Sequence, residues 1–348
     1  MDLTQRQRRI LDFIEEKQSA KRLDIESFIN SIDEKTSKVT IIRDLDVLLN
    51  QNLIKKTGQA RSITYLPTQS NELLRNYNIV EYFKVESDNR KIKYSQFNFG
   101  IFNNLNNIFT KKEILELENT NNIYRGKIEK LSPAILKKEF ERLLIELSWK
   151  SSQIEGNTYS LLDTEVLIKD NIEAEGHKKE EAIMILNHKK ALEYIFENGS
   201  YFKELTLAKV EELHAILVDN LNVIKGLRTM PVGIVGTNYK PLFNQHQIKE
   251  AIEKLIEKIN STEYIIEKAL IAVLMISYIQ PFEDGNKRTG RILANAILYA
   301  NNYCPLSYRS IKEGEYKKAV IVFYENNSLD YFKKIFIEQF KFAVDKYF

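Results

Sequence analysis

From residue 131 onward, apolar residues recur at helical spacing in one stretch after another. Only two glycine-containing loops, at 226–241 and 280–291, interrupt the pattern. With 12 Gly and 6 Pro in 348 residues, such a chain is expected to bury itself mainly as helices. It exceeds one typical domain of roughly 100–200 residues, so two or three units are expected. Its 43% hydrophobic and 28% charged residues exclude a largely disordered chain. Fifty-one Lys+Arg against 48 Asp+Glu give no global positive field, so any nucleic-acid binding must rest on a local element. The single cysteine, Cys304, excludes an internal disulfide and a cysteine-rich zinc site, and fits a reducing cytoplasm. The longest apolar run, Ala269 to Ile279, is about half of the ~20 residues that span a membrane, and the first residues lack an apolar signal core. A cytoplasmic protein with no membrane partner is expected.

Three zones divide the sequence: residues 1–67, a connector over 68–130 rich in Asn, Tyr and Phe, and the helical zone 131–348. In the first zone, Ile10, Leu11, Phe13 and Ile14 mark one helix, and Leu23, Ile25, Phe28 and Ile29 a second. Thr36 or Ser37 can cap a third, with Val39, Ile42, Leu45, Leu48 and Leu49 as its buried stripe. A two-stranded ribbon follows, Leu53–Lys56 and Arg61–Tyr65 about the turn Thr57-Gly58-Gln59-Ala60. This order resembles a winged helix-turn-helix domain. The resemblance implies that Lys38, Thr40, Ile41 and Arg43 face a DNA major groove while Lys55, Lys56 and Arg61 meet phosphates. Against 10 Asp+Glu, the 12 Lys+Arg of this zone leave a protein-docking or dimerisation role open.

The chemistry concentrates in Gln280-Pro281-Phe282-Glu283-Asp284-Gly285-Asn286-Lys287-Arg288-Thr289-Gly290-Arg291, where one apolar helix ends and another begins. A glycine turn feeding a helix start gathers unpaired N–H groups and the positive end of the macrodipole, which suits an anion. Arg288 and Arg291, three apart, project on the same side and suit a polyphosphate. Asp284 is placed to hold Mg²⁺ bridging phosphate oxygens, Asn286 adds a neutral donor, and Phe282 anchors the loop.

This stretch resembles the signature of the Fic (Fido) family, His-Pro-Phe-x-Asp/Glu-Gly-Asn-Gly-Arg-x-x-Arg. Ser151-Ser152-Gln153-Ile154-Glu155-Gly156-Asn157 is similar to the family's inhibitory motif, and Gly226-Leu227-Arg228 with Val232–Pro241 to its target-presenting flap. The resemblance covers residues 131–348. It implies a mainly α, Fic-type helical domain with an N-terminal inhibitory helix and a short β-hairpin flap, preceded by the winged helix (α+β). It also implies ATP and Mg²⁺ as cofactors and AMP transfer to a hydroxyl of an unknown target protein. Gly285, Asn286, Lys287, Arg288, Thr289, Gly290, Arg291, Asn295 and Tyr316 would then contact an adenine nucleotide, and Thr237 and Tyr239 the target or nucleobase.

Two departures stand out. The family histidine, which takes the proton of the attacking hydroxyl, is Gln280, and an amide has no usable basicity; losing a positioned base costs ~10²–10⁴-fold. Lys287 replaces the usual glycine, adding a cation to the nest or intruding where a phosphate sits. His214 is expected to be structural. Glu155, retained beside the missing histidine, either pairs with Arg291 to inhibit or has become a water-activating group. Slowed AMP transfer, a silent nucleotide sensor governing DNA binding, and removal of AMP are therefore all open. Phe332, Phe336 and Phe340, at steps of four, are expected in the core or in a homodimer contact; Lys178-Lys179 and Lys317-Lys318 are read as solvated faces.

Overall fold

The structure, a computed structural model, describes residues 3–32, 36–51, 53–59, 62–68 and 71–348. Contacts divide it into Met1–Asn76 and Tyr77–Phe348, so the segment read as a connector belongs, from Tyr77 on, to the second unit.

The first unit runs α1 (Gln5–Lys17), β1 (Ala20–Lys21), α2 (Arg22–Ile32), α3 (Lys38–Asn50), β2 (Ile54–Thr57) and β3 (Thr64–Pro67). The strands form an antiparallel sheet in the order β1-β3-β2, with Lys56 opposite Tyr65 and Ala20 also opposite Tyr65. The ribbon is thus present, and β1, too short to show a period, adds a third strand to it. Ile10, Ile14, Ile25, Ile29, Ile41, Leu45, Leu48 and Ile54 form the core. Of the two candidate caps, Ser37 closes α3 by accepting the Thr40 N–H.

The face of α3 differs from the expectation. Val39 is 57% and Ile42 37% exposed, whereas Ile41, expected outward, is buried. The cause is Asp44, buried one step from Leu45: its carboxylate accepts from Arg6 Nε at 2.6 Å and Gln7 Nε2 at 3.0 Å of α1. A satisfied polar residue inside the stripe rotates the helix from the face that counting apolar residues selects. Leu23, on α2, is likewise exposed. Lys38, Arg43 and Lys55 remain exposed, Thr40 is half-buried with its hydroxyl against Ser37 Oγ, and Arg61 lies outside the described residues.

The second unit is helical throughout: α4 (Ile79–Tyr82), α5 (Ile101–Asn104), α6 (Lys111–Ile128), α7 (Pro133–Ile154), α8 (Leu161–Asp170), α9 (Lys179–Glu197), α10 (Leu207–Leu217), α11 (Gln245–Ser261), α12 (Ile265–Ile279), α13 (Asn286–Ala300), α14 (Glu313–Asn326) and α15 (Asp330–Tyr347). Its centre is the antiparallel pair α12–α13, with α7, α9 and α10 against α13 and α11 and α14 against α12. Every residue from Ala269 to Ile279 is buried, so α12 is a core helix, apolar all round. Gly290 lets the pair close, because a Cβ there would stand 2.9 Å from the Val273 carbonyl oxygen. Phe332, Phe336 and Phe340 are buried within the unit and so belong to its core.

No strand is assigned over 226–241; the hairpin expected for the flap is an extended loop that turns at Val235-Gly236, tied by an isolated bridge from Lys240 to Gln96. Two arginines hold it. Arg228, at its base, donates from Nε to the Gln280 carbonyl at 2.7 Å and from its guanidinium to the Met230 and Leu242 carbonyls. Arg90, from the former connector, donates to the Gly236 carbonyl and pairs with buried Glu325 at 2.9 Å, which also accepts from Tyr82 and Thr237.

Candidate active site

α12 ends at Gln280, whose φ of 51° is left-handed, and Pro281 cannot continue a helix. Gly285, at φ 79°, then turns the chain into α13, and a Cβ there would crowd Val218 at 3.1 Å. Between them Asn286 clamps the loop: its Oδ1 accepts the Phe282 N–H at 2.8 Å, and its Nδ2 donates to the Phe282 carbonyl at 2.8 Å and to Gln280 Oε1 at 3.0 Å. Asn286 therefore serves the loop and is not the free donor expected. Gln280 Nε2 donates back to the Ser277 carbonyl at 2.7 Å. Both ends of that amide are engaged.

His214 props the loop from below. Its ring stacks on Phe282 at 3.7 Å and its Nε2 donates to the Asp284 carbonyl at 3.0 Å. Burial pushes its pKa down to about 4, so the ring is neutral. It does not line the cleft.

The charged side chains pair off. Arg291, fully buried, donates from Nη2 to Glu155 Oε1 at 2.9 Å and from Nη2 and Nε to the Ser151 carbonyl and hydroxyl, both at 2.9 Å. Its guanidinium carbon lies 5.4 Å from the centre of the Tyr316 ring. Lys287 Nζ meets the other oxygen of Glu155 at 2.7 Å. Burial alone would raise the Glu155 pKa, but Arg291 and then Lys287 outweigh it and hold the carboxyl at about 2. Glu155 reaches this position because α7 stops there: Gly156, at φ 99°, donates to the Gln153 carbonyl and Asn157 to that of Ser152. Behind it, buried His188 takes the Ser151 hydroxyl at 2.8 Å, and burial pushes its pKa down to about 3, keeping it neutral.

Arg288 and Arg291 diverge. Arg288 turns to Asp284 at 2.9 Å and the Leu217 carbonyl at 3.4 Å, on the α10 side. Thr289 donates to the Gly285 carbonyl, Gly290 packs on Val273, and Asn295 exchanges two hydrogen bonds with Leu306. These three fix helix contacts and do not line the cleft. Tyr239 is also buried, stacked on Tyr278 at 4.8 Å with its hydroxyl on the Tyr278 carbonyl, so it pins the flap; Thr237 is bound to Glu325.

What remains open is a cleft of about 470 Å³ between the flap (Val232–Val235), the loop (Gln280, Asp284–Lys287), Glu155 and the α14 side chains Tyr316, Lys317, Val320 and Tyr324. That volume suits a small organic ligand. Lys317, read as solvated, stands on its rim. Asp284 is an exposed carboxylate, 67% accessible, with one oxygen on Arg288; its neighbour Glu283, also exposed on the cleft, accepts the Ile224 N–H. Among the described residues no three His, Cys, Asp or Glu side chains gather as a metal cage. Magnesium is commonly held by one or two carboxylates together with phosphates, so Asp284 fits that ion only alongside a polyphosphate.

Residues 204–298, which hold the loop and the flap, match the model of the Fic/DOC family. The chain carries a Fic/DOC domain. Among curated proteins it is 29% identical over 161 residues to protein adenylyltransferase fic-1 of Caenorhabditis elegans, covering 44% of this chain and 31% of that one. It is 26% identical over 178 residues to protein adenylyltransferase Fic of Drosophila erecta, 50% of this chain and 36% of that one. The chain thus spans about a third of the length of these relatives. Solved Fic structures share the fold. A fragment of C. elegans Fic-1 superposes with a TM-score of 0.57 at 20% identity, over 68% of this chain and 70% of that one. A Fic domain-containing signalling protein from Bacteroides thetaiotaomicron gives 0.53 at 19% identity, over 67% and 96%. Glu155 and Arg291, expected to pair, stand 2.9 Å apart; sequence reasoning gave no role to Arg228, whose only signal was its position two residues after a glycine at the start of the flap.

Proposed function

We propose that the cleft binds ATP and belongs to a protein AMP transferase that Glu155 holds silent and that Gln280 slows. The observation carrying this reading is the pair Glu155–Arg291: a buried cation suited to a terminal phosphate is occupied by the chain's own carboxylate. The names of the relatives, adenylyltransferases, supply the reaction class. In it, a target hydroxyl attacks the α-phosphorus and pyrophosphate leaves. Mg²⁺, held by Asp284 with the phosphates, would neutralise charge on that leaving group. The loop N–H groups at the start of α13 receive phosphate oxygens, and the flap, fixed by Arg228 and Arg90, lines up an extended target segment beside residue 280. There the amide of Gln280, engaged at both ends, offers no base, so the hydroxyl proton must pass to water or to phosphate.

Labelled ATP incubated with cell lysate tests this. The Glu155→Gly/Gln280→His double variant is expected to label a target at least ~10²-fold faster than Glu155→Gly alone. Absence of both labelling and ATP binding in the double variant overturns the reading.

A second reading, nucleotide-dependent DNA binding by the first unit, is favoured by the exposed Lys38 and Arg43 on α3 and by the engaged amide of Gln280. Removal of AMP by Glu155 is favoured least, because both carboxylate oxygens are paired and a carboxyl held at about 2 is a poor base.

A further inference from the structure

Glu155 makes two ion pairs where one would block the arginine. Its Oε1 takes Arg291 and its Oε2 takes Lys287, each within 3 Å. The two cations differ in freedom. Arg291 is fully buried, bound twice to Ser151 and set against the ring of Tyr316, so it has nowhere to go. Its remaining nitrogen, Nη1, is buried as well. Lys287 sits in the first turn of α13 on the cleft wall, 28% exposed, on a four-carbon stem with three rotatable donors.

We propose that Glu155 silences the cleft by sequestering both cations at once, and that Lys287 is the exchangeable one, which a phosphate group of the ligand must draw off Oε2. This deepens the ATP reading and rests on it. Glu155 then acts by charge as well as by bulk: with its carboxylate in place, only one positive charge of the cluster is left over, and it is held by an anion. Phosphate in the cleft drawing Nζ of Lys287 off Oε2 would leave Glu155 with Arg291 as its single pair.

The exchange makes the role of Lys287 depend on Glu155. Calorimetry with MgATP on the natural chain, Lys287→Met, Glu155→Gln and the double variant reads that dependence. Lys287→Met is expected to change ATP affinity by less than about twofold when Glu155 is present. It should weaken ATP at least about tenfold in the Glu155→Gln background, where the ammonium is free for phosphate. Lys287→Gln, assayed in parallel with thermal melts, guards against a folding defect. AMP and inorganic pyrophosphate in place of ATP show which phosphates carry the effect: the dependence is expected with ATP and pyrophosphate and not with AMP. Equal costs of Lys287→Met in both backgrounds, or none in either, overturn the proposal while leaving the ATP reading intact. No gain in ATP affinity from Glu155→Gln removes inhibition by Glu155, and no ATP uptake by any variant removes the reading itself.

Discussion

Glu155 carries a pH signature of its own. A carboxyl near 4.5 in the unfolded chain and about 2 in the folded one binds its proton more weakly when folded. Its contribution is therefore complete above pH 4.5 and disappears as pH falls toward 2. At roughly 1.4 kcal/mol per pKa unit, that contribution is about 3 kcal/mol. Urea denaturation from pH 6 down to the limit of reversibility should show the stability gap between the natural chain and Glu155→Gln shrinking through this window. A gap that stays constant would mean that the carboxylate is not paired as described. The pairing itself was legible from Ser-x-x-x-Glu-Gly and the second arginine, but the turn of Lys287 toward Glu155 was not. Sequence left two fates for that ammonium, and the choice depends on where α7 ends relative to α13, a distance that no local pattern encodes.

At the level of elements, the site depends on how closely α12 and α13 approach. Gly290→Ala puts a methyl against the Val273 carbonyl, backbone against which nothing can swing aside. A loss of about 1–3 kcal/mol is expected, read as a lowered urea midpoint with unchanged slope; an unshifted midpoint would show that the pair separates freely. The two helices and the loop between them were plain from apolar runs flanking a Gly-containing turn. Elements with polar residues on the buried face were harder to see. In α6 the inward residues are Leu117, Asn121 and Tyr124, and Asn121 donates to the Asn302 carbonyl; one amide in the stripe erases the apolar period. Asp44 does the same to α3. The segment read as a flap is a loop whose shape comes from Arg228 and Arg90 gripping carbonyls, which a strand-like composition cannot reveal.

For the whole molecule, the division at 76/77 gives the N-terminal unit its own core, mostly isoleucines and leucines, and a separate task can be sought for it. If that task is duplex DNA binding, affinity should fall steeply with salt, and Arg43→Ala should weaken binding and flatten the salt slope by about one. Fluorescence anisotropy with and without ATP reads both terms; a salt-independent signal, or one indifferent to Arg43→Ala, would remove DNA from the account. No helix among the described residues is long and apolar enough to cross a membrane.

The scaffold grips residue 280 through its main chain: Arg228 holds the carbonyl, and the left-handed turn is set before any side chain is chosen. Glutamine and histidine codons differ only in the third base. A single point mutation would therefore set an imidazole on this same left-handed turn, one step away in sequence space.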